Sequence, residues 1–211
     1  MNRIRVVLGD DHNLVRQGIR ALLALSRICV VGEAKDGREL VRQVKELTPE
    51  VALVDISLPL LNGIEAARKI RHVAPKTRVI FLTMYQDRGY VTRAREVGAW
   101  GYVLKEEAPE QLITTIETVA NGRHCFPSEL VGETVRIEGK KLGPREREVL
   151  QLIAEGKKNK DIARIMIRSL HTVRNHRAHI MRKLGVHTAA GLVQAANEMG
   201  LVRLEALGDK S

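Results

Sequence analysis

The chain has 211 residues, 44% of them hydrophobic and 28% charged, with a formal net charge of +10. That length suits one large domain or two small ones, with two the better starting assumption, and the composition excludes a disordered chain. A basic balance is compatible with nucleic acid, an anionic membrane surface or no specific partner, so where the charge lies matters more than its total.

The amino terminus, MNRIRVVLGDD, runs directly into an alternating apolar strand and then into acids. That is unlike a secretory signal. No stretch reaches the about 18 apolar residues of a membrane span, so no membrane contact and a cytoplasmic location are expected. Short apolar runs then alternate with longer amphipathic ones: IRVVL, NLVRQGIRALLAL, ICVVGEA, GRELVRQVKEL, VALVDI, NGIEAARKIRHV, RVIFLT, a helix around 87–97, WGYVL and APEQLITTIETVANG. This alternation predicts five strands and five helices, an α/β doubly wound parallel sheet covered on both faces. After Gly122 the period breaks, and 123–142 reads as a linker with one short helix. From Gly143 the pattern is purely helical, with breaks at Gly156, Gly185 and Gly200, predicting a small all-α domain over 143–211. Cys29 and Cys125 lie far apart with no CxxC spacing, which suits packing rather than zinc or redox chemistry.

Several strands end in polar residues: Asp10 and Asp11 after the first, Asp55 at the third, Thr83 at the fourth and Lys105 at the fifth. In an open parallel sheet these ends converge on one edge, where ligands bind. Three carboxylates there repel one another, and a hard dication such as Mg²⁺ with oxygen ligands relieves the repulsion. With the Lys105 ammonium and the Thr83 hydroxyl, the set makes a phosphoryl-transfer site whose nucleophile is Asp55. Taken singly, each residue reads first as a solvated strand end.

These marks together resemble the receiver domain of two-component response regulators, over residues 1–122. They stand as VVLGDDH with Asp10 and Asp11, VDISLPLLNG with Asp55, Pro59 and Gly63, FLT with Thr83, and GYVLK with Tyr102 and Lys105. The resemblance implies a flavodoxin-like fold with Asp55 as phospho-acceptor. It implies Mg²⁺ held by Asp10, Asp11, Asp55 and the backbone carbonyl of Ser57, with Thr83 and Lys105 at the phosphoryl oxygens and Tyr102 as the aromatic switch. Gly9 replaces a common Ala, Met84 is bulkier than the usual neighbour of Thr83, and Glu106 stands where Pro often follows the lysine. No chemical group is lost.

The charge excess gathers in the second half. Residues 1–120 hold 18 Lys/Arg against 15 Asp/Glu, whereas 143–211 hold 13 against 7. Within 157–183 nine bases face one acid, Asp161, the density expected for phosphate-backbone contact. NKDIARIM, a short turn and SLHTVRNHRAHIMRKLG have the shape of a helix-turn-helix capped by Ser169. Val173, Ile180 and Leu184 would face the core, leaving Thr172, Arg174, Asn175, His179 and Arg182 more exposed. A basic helix of this kind is also compatible with a solvated face and no ligand.

Residues 142–204 resemble the LuxR-type helix-turn-helix of NarL/FixJ regulators, through LGPREREVLQLIAEGKKNKDIA and TVRNHRAHIMRKLGV. The resemblance places Arg174 and Asn175 at base edges and Lys160, Ser169 and Thr172 at phosphates. Gly143 replaces the usual capping Thr, and Arg168 stands where an apolar residue is usual. The whole implies a DNA-binding transcriptional regulator rather than an enzyme. Its implied partners are a sensor histidine kinase, double-stranded promoter DNA, RNA polymerase and, when phosphorylated, a second copy of the chain. Thr83 and Tyr102 would carry the change from pocket to surface. A regulator that works without phosphorylation is the alternative. A flavodoxin-like enzyme lacks support, since no Gly-rich phosphate loop follows the first strand, and the βα alternation excludes an autoinducer-binding domain.

Overall fold

A computed structural model describes residues 3–107, 109–127 and 142–202. The chain divides into two compact units, one holding the described residues through Pro127 and the other those from Leu142 onward.

In the first unit β1 (Ile4–Gly9), β2 (Ile28–Ala34), β3 (Val51–Val54), β4 (Arg78–Thr83) and β5 (Gly101–Leu104) alternate with α1 (Asn13–Ala24), α2 (Gly37–Leu47), α3 (Gly63–Val73), α4 (Arg88–Glu96) and α5 (Pro109–Ala120). The five strands form one parallel sheet in the order β2-β1-β3-β4-β5, the expected doubly wound arrangement. Successive strand side chains point to opposite faces, so each strand feeds two apolar layers. Val6 and Leu8 pack with Leu23, Ile116 and Val119 on one face. Val7 joins Leu40, Val44 and Ile70 on the other. Burial on both faces is why these strands read as continuous apolar runs.

The order reverses around β1, and there the carboxyl ends of β1 and β3 open a crevice. Its floor depends on a glycine: a Cβ on Gly63 would run into the Asp55 carbonyl, so only glycine lets α3 begin directly against the end of β3. A Cβ on Gly9 would lie 2.8 Å from Leu40 Cδ2, so an alanine there would require the Leu40 side chain to shift.

Beyond α5, part of the expected linker belongs to this unit. Cys125 forms a parallel bridge with Gly101, accepts from Tyr102 N–H at 3.0 Å and donates to the Trp100 carbonyl at 2.8 Å. His124 stacks on Trp100 with ring centroids 4.4 Å apart. The expected short helix in the rest of the linker falls at 128–141, outside the described residues.

The second unit contains α6 (Pro144–Ala154), α7 (Asn159–Met166), α8 (Leu170–Leu184) and α9 (Ala189–Glu198) around buried Leu150, Ile162, Val173, Ile180 and Leu192. Leu184, expected in the core, is half-buried. Gly143 offers α6 no side-chain cap, but Glu146 accepts its N–H at 2.7 Å and Pro144 occupies the first turn. Arg168 is exposed, so this departure from the family does not disturb packing.

Candidate functional site

The crevice gathers the expected groups. Asp10 and Asp55 are buried, and Lys105 Nζ bridges them at 2.6 Å from Asp10 Oδ2 and 2.7 Å from Asp55 Oδ2. Asp11 and His12 stand at the exposed rim, and ligand atoms of Asp10, Asp11, His12 and Asp55 all lie within 4.8 Å of one another. Ser57 N–H donates to Asp55 Oδ1 at 3.1 Å. Thr83 is fully buried at the end of β4, where its carbonyl accepts from Lys105 N–H at 2.8 Å.

The electrostatics follow from this geometry. Burial pushes the Asp55 carboxyl above its usual range; the Lys105 ammonium pulls against that, while the Asp10 charge adds to it. For Lys105, burial opposes the ammonium, but Asp55 and Asp10 outweigh it and the pKa rises. The two acids therefore hold Lys105 charged, while Lys105 only partly offsets the burial of Asp55. Three carboxyl groups here face one ammonium, an excess of acid over base. Asp10 Oδ2 is buried and meets the ammonium as an ion pair, without an aligned hydrogen bond. Hard oxygen donors and this excess of acid fit a divalent cation of the Mg²⁺ class.

A second network leads away from the pocket through Tyr85, which the sequence reading missed. Its N–H donates to Thr83 Oγ1 at 3.2 Å, and its hydroxyl lies 3.0 Å from Ser57 Oγ. Its carbonyl accepts from the Tyr102 hydroxyl at 2.6 Å, and its ring stacks on Tyr90 at 4.2 Å. Tyr102 is thus turned inward and buried.

In the helical unit, α8 starts at Ser169, whose Oγ accepts from Thr172 N–H at 3.0 Å and lies 2.8 Å from Thr172 Oγ1. Arg174 and Asn175 are exposed on the following turn, and Thr172 is half-buried. Lys160 is exposed on α7, which Arg177 ties to α8 through Asn159 Oδ1 at 3.5 Å. Among the described residues no helix is long and apolar enough to cross a membrane.

An acid pocket at the edge of a 2-1-3-4-5 sheet is followed along the chain by a helix-turn-helix. Residues 6–117 match the response regulator receiver domain family, and residues 140–196 match the bacterial regulatory proteins of the luxR family. The chain belongs to the two-component response regulators of this receiver-plus-LuxR type, a family of transcriptional regulators rather than enzymes. It is 39% identical to the transcriptional regulatory protein MctR of Rhizobium johnstonii, over 95% of this chain and 96% of MctR. It is 37% identical to the oxygen regulatory protein NreC of Staphylococcus aureus, over 92% of this chain and 96% of NreC. Among solved structures, the RcsB response regulator of Salmonella typhimurium is similar at 30% identity and a TM-score of 0.66, over 94% of this chain and 98% of RcsB. A complex of RcsB with DNA is similar at 30% identity and a TM-score of 0.59, over 93% and 98%.

Proposed function

We propose that the chain is a cytoplasmic transcription regulator whose binding to promoter DNA is controlled by phosphorylation of Asp55. The observation that carries this reading is the Lys105 ammonium held within 2.7 Å of both Asp10 and Asp55. Burial raises the Asp55 pKa, and this ammonium works against that, favouring the carboxylate form that acts as nucleophile. An Asp55 oxygen attacks the phosphorus of a phosphohistidine on a sensor kinase, or of a small phosphodonor; the O–P bond forms as the bond to the donor breaks, and the leaving group takes the electron pair. Asp10, Asp11, Asp55 and the Ser57 carbonyl would hold Mg²⁺. When bound, the ion would supply the positive charge that lets a phosphoryl group approach these acids. Lys105 and the Thr83 hydroxyl contact the phosphoryl oxygens.

Tyr85 and Tyr102 then link Thr83 to β5, and phosphorylation favours a dimer that binds two promoter half-sites and works with RNA polymerase. Residues 1–122, extended by the Cys125 bridge, form the receiver, the rest of 123–142 the linker and 143–211 the DNA-binding domain. Arg174 and Asn175 meet base edges, while Lys160, Ser169 and Thr172 meet phosphates. The RcsB–DNA complex supports this assignment by likeness. Incubation with a labelled small phosphodonor tests the phosphoryl step. Label is expected on the wild type with Mg²⁺ and none on Asp55→Asn or after chelation; full labelling of that variant overturns the assignment.

A further inference from the structure

The exposed ridge of α8 is organised around a histidine that neither the sequence motifs nor the family resemblance singled out. Successive helical residues turn by about 100°, so His171, Asn175, Ala178 and Arg182 fall on one face, opposite buried Val173 and Ile180. All four are exposed. Within this ridge Asn175 Nδ2 donates to His171 Nε2 at 3.1 Å, an i,i+4 pair on the first two turns. An amide nitrogen only donates, so in this pair Nε2 is the acceptor.

We infer that His171 is a positioning residue for DNA reading, setting the orientation in which Asn175 meets a base. The inference rests on the proposed DNA-binding role of α8. An Asn amide has two N–H donors and one carbonyl acceptor. With one N–H engaged by His171, one donor and Oδ1 remain for the groove. That pair matches adenine, which offers an acceptor at N7 and a donor at N6. With Oδ1 turned toward the ring instead, the amide would present donors alone, the pattern suited to the O6 and N7 acceptors of guanine. Without a fixed partner the amide is free to take either orientation, and the two bases are discriminated less. Ala178, one turn on, carries only a methyl group where a longer side chain would hold the ridge away from the base pairs. The start of the ridge is itself fixed, because Ser169 caps the helix and lies 2.8 Å from Thr172 Oγ1.

Site selection from random duplex DNA with the full-length chain and a small phosphodonor tests the inference, using wild type, His171→Ala, His171→Gln and Asn175→Ala. Gln retains an acceptor at this spacing and Ala does not. The wild type is expected to select adenine at one position of each half-site. His171→Ala should lower that preference about tenfold, within the range for one bidentate pair. His171→Gln should restore it, a rescue that a merely structural role for the ring would not give. Asn175→Ala should abolish the same preference, and adding His171→Ala should change nothing further. Selection of guanine at that position, or an unchanged adenine preference in a folded His171→Ala chain, overturns the inference while leaving DNA reading by α8 intact. If the wild type selects no sequence at all, the DNA-binding assignment falls and this inference with it.

Discussion

The Tyr102 hydroxyl donates to the Tyr85 carbonyl at 2.6 Å, while the Tyr102 backbone N–H donates to the Cys125 carbonyl at 3.0 Å. One buried residue thus joins the loop after β4 to the segment that leaves the receiver. Tyr85 in turn reaches Thr83 and Ser57 beside the acid pocket. A change at Thr83 therefore has a contiguous route to Cys125.

Removing the hydroxyl tests that route. Tyr102→Phe deletes one hydrogen bond, which costs about 0.5–1.5 kcal/mol of receiver stability. Trp100, the sole tryptophan, stacks on His124 beside the Cys125 bridge. Its emission should shift when wild type meets a phosphodonor and shift much less in Tyr102→Phe. Equal shifts in the two proteins would show that the signal does not pass through the hydroxyl.

Glu146 makes a pH-dependent tie in the helical unit, accepting from Gly143 N–H at 2.7 Å and from Lys183 Nζ at 2.8 Å. Burial alone would raise its pKa, but the hydrogen bonds from Lys183 and Gly143 outweigh it and hold the carboxyl below the ordinary value of 4.5. A depressed folded-state pKa contributes stability that is fully present above 4.5 and is lost as pH falls through the folded pKa. Glu146→Gln should therefore be less stable than wild type at neutral pH, with the gap closing in acid. Denaturant melts of the two chains across this range check the sign; a gap that widens in acid contradicts it.

Two bases on the helix-turn-helix should fail differently. Arg174→Ala should relax sequence preference at a cost of about 1–3 kcal/mol on the selected site, whereas Lys160→Ala should weaken all sequences alike and reduce the salt slope by about one. Binding isotherms on selected and scrambled DNA at several salt concentrations separate the two. Uniform loss in both variants would mean that Arg174 also contacts only the backbone.

The sheet was legible because parallel strands buried on both faces leave continuous apolar runs between amphipathic helices, and because acids at successive strand ends must converge. Asp10, Asp55 and Lys105, at the ends of different strands, accordingly meet at one edge of the sheet. Tyr85 was not legible in the same way, since its contacts to Thr83, Ser57, Tyr90 and Tyr102 depend on the path of the loop after β4, which has no period. Cys125 escaped for a related reason: a bridge one residue long leaves no alternation, and the segment read as linker. His12 and His171 depend on side-chain rotamers, which spacing alone does not fix. Leu184 matched the helical period of the core yet lies half-buried near the end of α8, where fewer neighbours cover it.

In the proposed function, phosphorylation of Asp55 governs DNA binding. Its most direct test is the affinity of full-length wild type and Asp55→Asn for one selected promoter site, each with and without a small phosphodonor and Mg²⁺. Both chains should bind weakly and equally without the donor, and the wild type alone should bind more tightly when it is present. Wild type that binds as tightly without the donor as with it, or Asp55→Asn that gains affinity equally, would contradict the account.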